Sequence, residues 1–131
     1  MTVALWCVLI AGLMPYLAVG IAKFDRNYDN HDPRGWLAQQ EGFRKRAMSA
    51  QLNGFEAFPL FASGVILAML AKVPQATLSN LAIAFVAARI FYLAFYLADR
   101  AALRSLSWLV GQGASVTLLV MAAGSVGGLA G

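Results

Sequence analysis

A chain of 131 residues that is 60% hydrophobic and 12% charged, with a mean hydropathy of +0.68, has a membrane composition and leaves little chain for a soluble domain. Its net charge of +4 does not argue for nucleic acid, because almost all the charges gather in three short clusters between apolar runs, where they set topology. The single cysteine, Cys7, excludes an intrachain disulfide and any cysteine-built metal or redox pair.

A spanning helix needs about 20 mostly apolar residues, and the sequence holds four such runs. The first, Met1 to Ala22, carries no charge. It lacks a basic n-region and outruns a signal-peptide h-region, so it is expected to remain in the mature protein. Pro15 is expected to kink it, which a membrane helix tolerates when neighbours satisfy the freed carbonyl. Cys7 reads as a packing residue.

Loop 1, Lys23 to Arg46, is basic: Lys23, Arg26, Arg34, Arg44, Lys45 and Arg46 all lie in it. Its segment DRNYDNHDPRGW imitates the start of a calcium loop through Asp25, Asn27 and Asp29. Asn30 then stands where the turn wants glycine and Trp36 where the bidentate glutamate belongs, so a solvated loop is the reading. His31 is alone and makes no metal site. Asp32 followed by Pro33 reads as a helix N-cap and first residue, opening a segment that runs through Trp36 and Phe43 into the second span.

The second run, Ala47 to Ala71, is interrupted only by Glu56, and the third, Val73 to Ala98, only by Arg89. The fourth, Ser105 to Gly131, is uncharged, and its Gly124 and Gly128 have the spacing of close helix packing. The expectation is one all-α domain over 1–131, an integral membrane four-helix bundle, left-handed in its packing, of antiparallel helices at about 2–23, 34–71, 75–98 and 105–129. Arg100 and Arg104 add to the basic side and only Lys72 stands opposite. Loops 1 and 3 therefore face the cytoplasm and both termini face outward.

The polar residues inside the spans form two stripes. Arg46, Ser49, Asn53 and Glu56 share a face of the second helix, and Arg89, Tyr92, Tyr96, Asp99 and Arg100 largely share one on the third. Folding these helices as an antiparallel hairpin sets Glu56 level with Arg89, Asn53 with Tyr92, Ser49 with Tyr96 and Arg46 with Asp99. An isolated charge near the midplane is expensive, so Glu56 and Arg89 are expected to pair, within one subunit or across an interface. Two tyrosine hydroxyls beside Arg46, Arg100 and Arg104 suit an anionic ligand, with an apolar substrate entering from the lipid.

RAMSAQLNGFEAFPLF on the second helix and RIFYLAFYLADRAALRS on the third and its turn resemble the MAPEG superfamily, the membrane-associated proteins of eicosanoid and glutathione metabolism. The likeness spans the chain and is strongest in the pattern Asn53-x-x-Glu56-x-x-Pro59; loop 1 looks closest to the bacterial branch. It implies a homotrimer in the bacterial inner membrane, with glutathione held between subunits on the cytoplasmic side. Asn53 and Glu56 would hold its peptide part, Tyr92 and Tyr96 would line the site with Arg46, Arg89 and Arg100 nearby, and Arg104 would face the thiol. Ser49 stands where catalytic members carry an arginine, and Ala57 where several carry a tyrosine.

Two functional readings follow. The first is a glutathione-dependent transferase or peroxidase acting on lipophilic electrophiles or lipid hydroperoxides. The alternative is a non-catalytic scaffold of the same fold that holds a lipid or metabolite. A proton-coupled exporter using Glu56 ranks last, because such dimers usually carry their acid in the first helix, which here has none. Self-association, membrane lipids and a lipophilic small molecule are the expected partners; nucleic acid and metal are not.

Overall fold

Many of the buried positions are alanines, while many large apolar side chains face outward. In the computed structural model, which describes residues 2–127, helix α1 (Val3–Lys23) buries Ala4, Cys7, Ala11, Pro15, Ala18 and Ala22. It turns Trp6, Leu13, Tyr16 and Leu17 outward. Lipid tails are as apolar as leucine, so burial does not drive helices together in a membrane. Close backbone approach and dispersion do, and small residues permit them.

The other helices mix buried alanines with a few fully buried large residues, Phe61, Leu78, Phe85 and Leu118. These helices are α2 (Pro33–Ala38), α3 (Gly42–Leu70), α4 (Gln75–Leu97) and α5 (Ala101–Gly127). Among the described residues α1, α3, α4 and α5 are long and apolar enough to cross a membrane. The contacts set α3 and α4 at the centre, with α1 packed on both from one flank and α5 on both from the other. At their junction Phe61 and Phe85 stack with ring centroids 3.8 Å apart and planes 5° from parallel.

Close approach is visible at two glycines. A Cβ on Gly64 of α3 would lie 3.3 Å from the Leu118 Cβ and from the Ser115 carbonyl oxygen on α5, and one on Gly54 would lie 2.9 Å from Cγ of Pro15 on α1. Gly124, expected to mediate packing, has open space around it within the chain, and Gly128 lies outside the described residues. Within one subunit the tight α3–α5 contact is made at Gly64 instead.

Both turns flanking α4 are built alike. After α3, the Val73 N–H donates to the Ala68 carbonyl and the Lys72 N–H to that of Met69; after α4, the Arg100 N–H donates to Phe95 and the Asp99 N–H to Tyr96. Each is a paired-bond cap that needs a left-handed residue. Lys72 and Asp99, both at φ 58°, supply it without being glycine. The second cap reverses the chain so quickly that α5 begins at Ala101, four residues before the expected Ser105.

Loop 1 is folded, not merely solvated. The Asp25 carboxylate accepts from the Asn27 N–H at 2.7 Å and pairs with Arg44 at 2.8 Å. Tyr28 meets Trp36 edge to face at 5.2 Å while Lys23 sits over the Tyr28 ring. Asp32 caps α2 through the Gly35 N–H, with Pro33 at its first turn. The single helix expected over 34–71 is broken into α2 and α3 across Gln39 to Glu41, where Glu41 is extended (φ −127°, ψ 174°) and Gly42 restarts the helix from φ 64°, an angle open to glycine.

Candidate functional site

Helix periodicity places Arg89, Tyr92 and Tyr96 on one face of α4, and the short cap at Asp99 brings the first turns of α5 back beside them. The result is a ladder of cations and rings. The Arg89 guanidinium carbon lies 4.1 Å from the Tyr92 ring centroid. Tyr92 and Tyr96 meet edge to face at 5.5 Å, and the Arg104 guanidinium carbon lies 4.5 Å from the Tyr96 ring. A desolvated cation over a ring gains about 2 kcal/mol, so each tyrosine holds an arginine as well as lining the space beside it.

Arg89 is 7% exposed and its Nη1 donates to Oδ1 of Asn53 at 2.8 Å. The expected intrasubunit pair with Glu56 is therefore replaced by Asn53 and Tyr92. The physical reason lies in the stem: both contacts sit one turn nearer the basic end of the bundle, and a long arginine chain reaches towards the polar end of its helix. A neutral amide also costs far less to desolvate than a carboxylate. Glu56, the middle residue of α3, is exposed on the outer side of the chain.

Arg46 is also engaged elsewhere. Its Nη2 donates to the Leu97 carbonyl at 3.2 Å, filling one of the acceptors left open at the end of α4 and meeting the negative pole of that helix. The expected level pairing with Asp99 does not form; Asp99 and Arg100 are exposed in the turn.

An open cleft of about 230 Å³ is lined by Tyr92, Tyr96, Arg104, Ser105 and Trp108. Of the residues singled out from sequence, it gathers Tyr92, Tyr96 and Arg104, with Arg89 and Asn53 behind Tyr92; Arg46, Glu56 and Arg100 do not line it. Ser105 and Trp108 were missed. The i, i+4 spacing from Arg104 to Trp108 was the available signal, since it sets both on one face of α5. Among the described residues Arg104 is the one charged residue lining the cleft, and it lies in the first turns of α5, where the helix dipole is positive.

Four apolar helices long enough to cross a membrane define an integral membrane helical bundle, with a polar cleft between α4 and α5. The profile of the MAPEG family matches residues 3–124, and the chain belongs to that family, whose members are membrane proteins related to glutathione and eicosanoid metabolism. Among curated proteins nothing matches the chain, and among solved structures nothing does.

Proposed function

We propose that the protein is a trimeric, glutathione-dependent membrane transferase or peroxidase acting on lipophilic electrophiles or lipid hydroperoxides. The observation that carries this reading is the cleft in which Arg104, stacked on Tyr96, faces a space also lined by the exposed, lipid-compatible Trp108. Glutathione, when bound, supplies a thiol that acts as a nucleophile or reductant once deprotonated.

The residues present fit that group. A thiol of pKa near 8.5 is mostly protonated at neutral pH, and a fixed cation lowering it by 2 units contributes about 2.7 kcal/mol towards the thiolate. Arg104 supplies such a cation without losing its own proton. Tyr92 and Tyr96 line the same space and hold Arg89 and Arg104 against it through their rings. Asn53, whose carbonyl oxygen is taken by Arg89, keeps its amide N–H groups for a ligand carbonyl. Arg89 holds this arrangement from behind, and Arg46 and Arg100 contribute positive field at the mouth.

A cleft of about 230 Å³ is smaller than the roughly 300 to 1,000 Å³ that encloses a small molecule, which supports a site completed by a second subunit. Glu56 supports the same assembly. An acid facing lipid at the centre of a span costs roughly 2.5 to 3.5 kcal/mol, whereas a neighbouring subunit can cover it with polar partners. With loops 1 and 3 cytoplasmic by their excess of lysine and arginine, the cleft opens at the cytoplasmic side of a bacterial inner membrane and both termini lie outside.

The second reading is a non-catalytic scaffold, and one contact favours it. Ser49 has no charge to replace the family arginine, and Arg46, the cation one turn earlier, is committed to Leu97. Calorimetric titration of glutathione into detergent-solubilised protein separates the readings. Saturable binding with thiol-dependent turnover, both lost in Arg104→Ala, is the expected result. Full turnover in Arg104→Ala removes its catalytic assignment, and binding without turnover establishes the scaffold.

A further inference from the structure

We infer that the bundle holds one structural water molecule on the inner side of Tyr92. Between α1, α3 and α4 lies a cavity of about 20 Å³ lined in part by Ala11, Pro15, Ala50, Gly54, Arg89 and Tyr92. Measured as the space open to the centre of a water molecule, this exceeds the ~10–15 Å³ that one water requires.

Size alone does not retain water; two to four polar partners do, and two are available here. Arg89 has five N–H donors, and among the described residues its only hydrogen bond is the one to Asn53. Tyr92, 5% exposed, closes the cavity beside it. The second partner comes from a backbone defect. Proline has no N–H, so Pro15 deprives the carbonyl four residues earlier, that of Ala11, of its helical donor. A buried carbonyl in a membrane needs a replacement.

One water satisfies both: it accepts from Arg89 and donates to the Ala11 carbonyl, against the wall that Tyr92 forms. Pro15 thereby acquires a structural purpose, since it opens the acceptor that fixes the water beside the buried cation. Tyr92 lines both this cavity and the Arg104 cleft, so the water supports the inner wall of the cleft. The inference concerns hydration of the bundle and is independent of which thiol or ligand the cleft receives.

Crystals grown from a lipid mesophase and diffracting well enough to show ordered solvent test it, with one crystal soaked in bromide and a second protein carrying Ala50→Val to fill the space. The expected result is a single water peak within hydrogen-bonding distance of the Arg89 guanidinium and the Ala11 carbonyl. No bromide signal should coincide with it, and it should vanish in Ala50→Val while the Arg89 to Asn53 bond persists. A dry cavity, a bromide peak at Arg89, or a water peak that survives Ala50→Val overturns the inference. If Ala50→Val does not fold, the native and bromide-soaked crystals decide alone.

Discussion

Asn53 is the residue on which Arg89 depends. A buried cation that loses its one polar side-chain partner keeps the Tyr92 ring and the inferred water, and a hydrogen bond to a charged group is worth about 1.5–3 kcal/mol. Asn53→Ala should therefore lower stability by that amount, read as a clear fall in thermal unfolding temperature in detergent; an unchanged melt would mean that Arg89 has another partner. Tyr96 makes a finer prediction, because it holds Arg104 through its ring and not through its hydroxyl. Tyr96→Phe should keep anion binding, whereas Tyr96→Leu should lose about 0.5–1 kcal/mol of it, a severalfold weaker glutathione titration. Equal loss in both variants would assign the role to the hydroxyl. The sequence made Arg89, Tyr92 and Tyr96 legible as one stripe because their spacing is fixed by the helix. It did not reveal the partner of Arg89, because the direction of a long stem depends on where the polar end and the amide lie in three dimensions.

At the scale of elements, the two caps around α4 and the glycine contacts make opposite predictions. Lys72 and Asp99 occupy a left-handed conformation that costs a non-glycine residue about 1–2 kcal/mol, less for aspartate. Lys72→Gly should stabilise the protein by up to about 1 kcal/mol once the greater freedom of glycine in the unfolded chain is subtracted. The gain from Asp99→Gly should be smaller. Gly64→Ala should destabilise, because its Cβ at 3.3 Å from Leu118 and from the Ser115 carbonyl must push α5 away, at about 1–3 kcal/mol. Gly113→Ala on α5 meets nothing within 4 Å and should be neutral or stabilising. Melting curves of the four variants check the set, and a Gly64→Ala protein as stable as the parent would contradict the packing between α3 and α5. All four spans were legible from length and hydropathy. The break before Gly42 and the early start of α5 were not, because both follow from backbone angles at one or two residues that hydropathy does not register.

At the scale of the molecule, Glu56 poses the sharpest test of assembly. It stands at the centre of α3 on an outward face, beside exposed Leu52 and Phe55, and among the described residues the ion pairs are those of Arg44 with Asp25 and Lys45 with Glu41. Two environments predict opposite signs. If that face met lipid, replacing the acid by leucine would remove a penalty of roughly 2.5 to 3.5 kcal/mol; Glu56→Leu would then melt higher and leave the oligomeric state unchanged. If a neighbouring subunit covers it, its charge is met by donors across the interface. Glu56→Leu then strands those donors, Glu56→Gln preserves part of the hydrogen bonding, and both should weaken the assembly in the order Leu worse than Gln. Native mass spectrometry from detergent, with mild cross-linking of the same proteins in vesicles, reads the oligomer directly. Trimers in the parent that fall to smaller species in Glu56→Leu, with an intermediate loss in Glu56→Gln, are the expected outcome. A parent that is monomeric, or a Glu56→Leu protein that is more stable and equally associated, would place Glu56 against lipid and leave the cleft at Arg104 without its second wall.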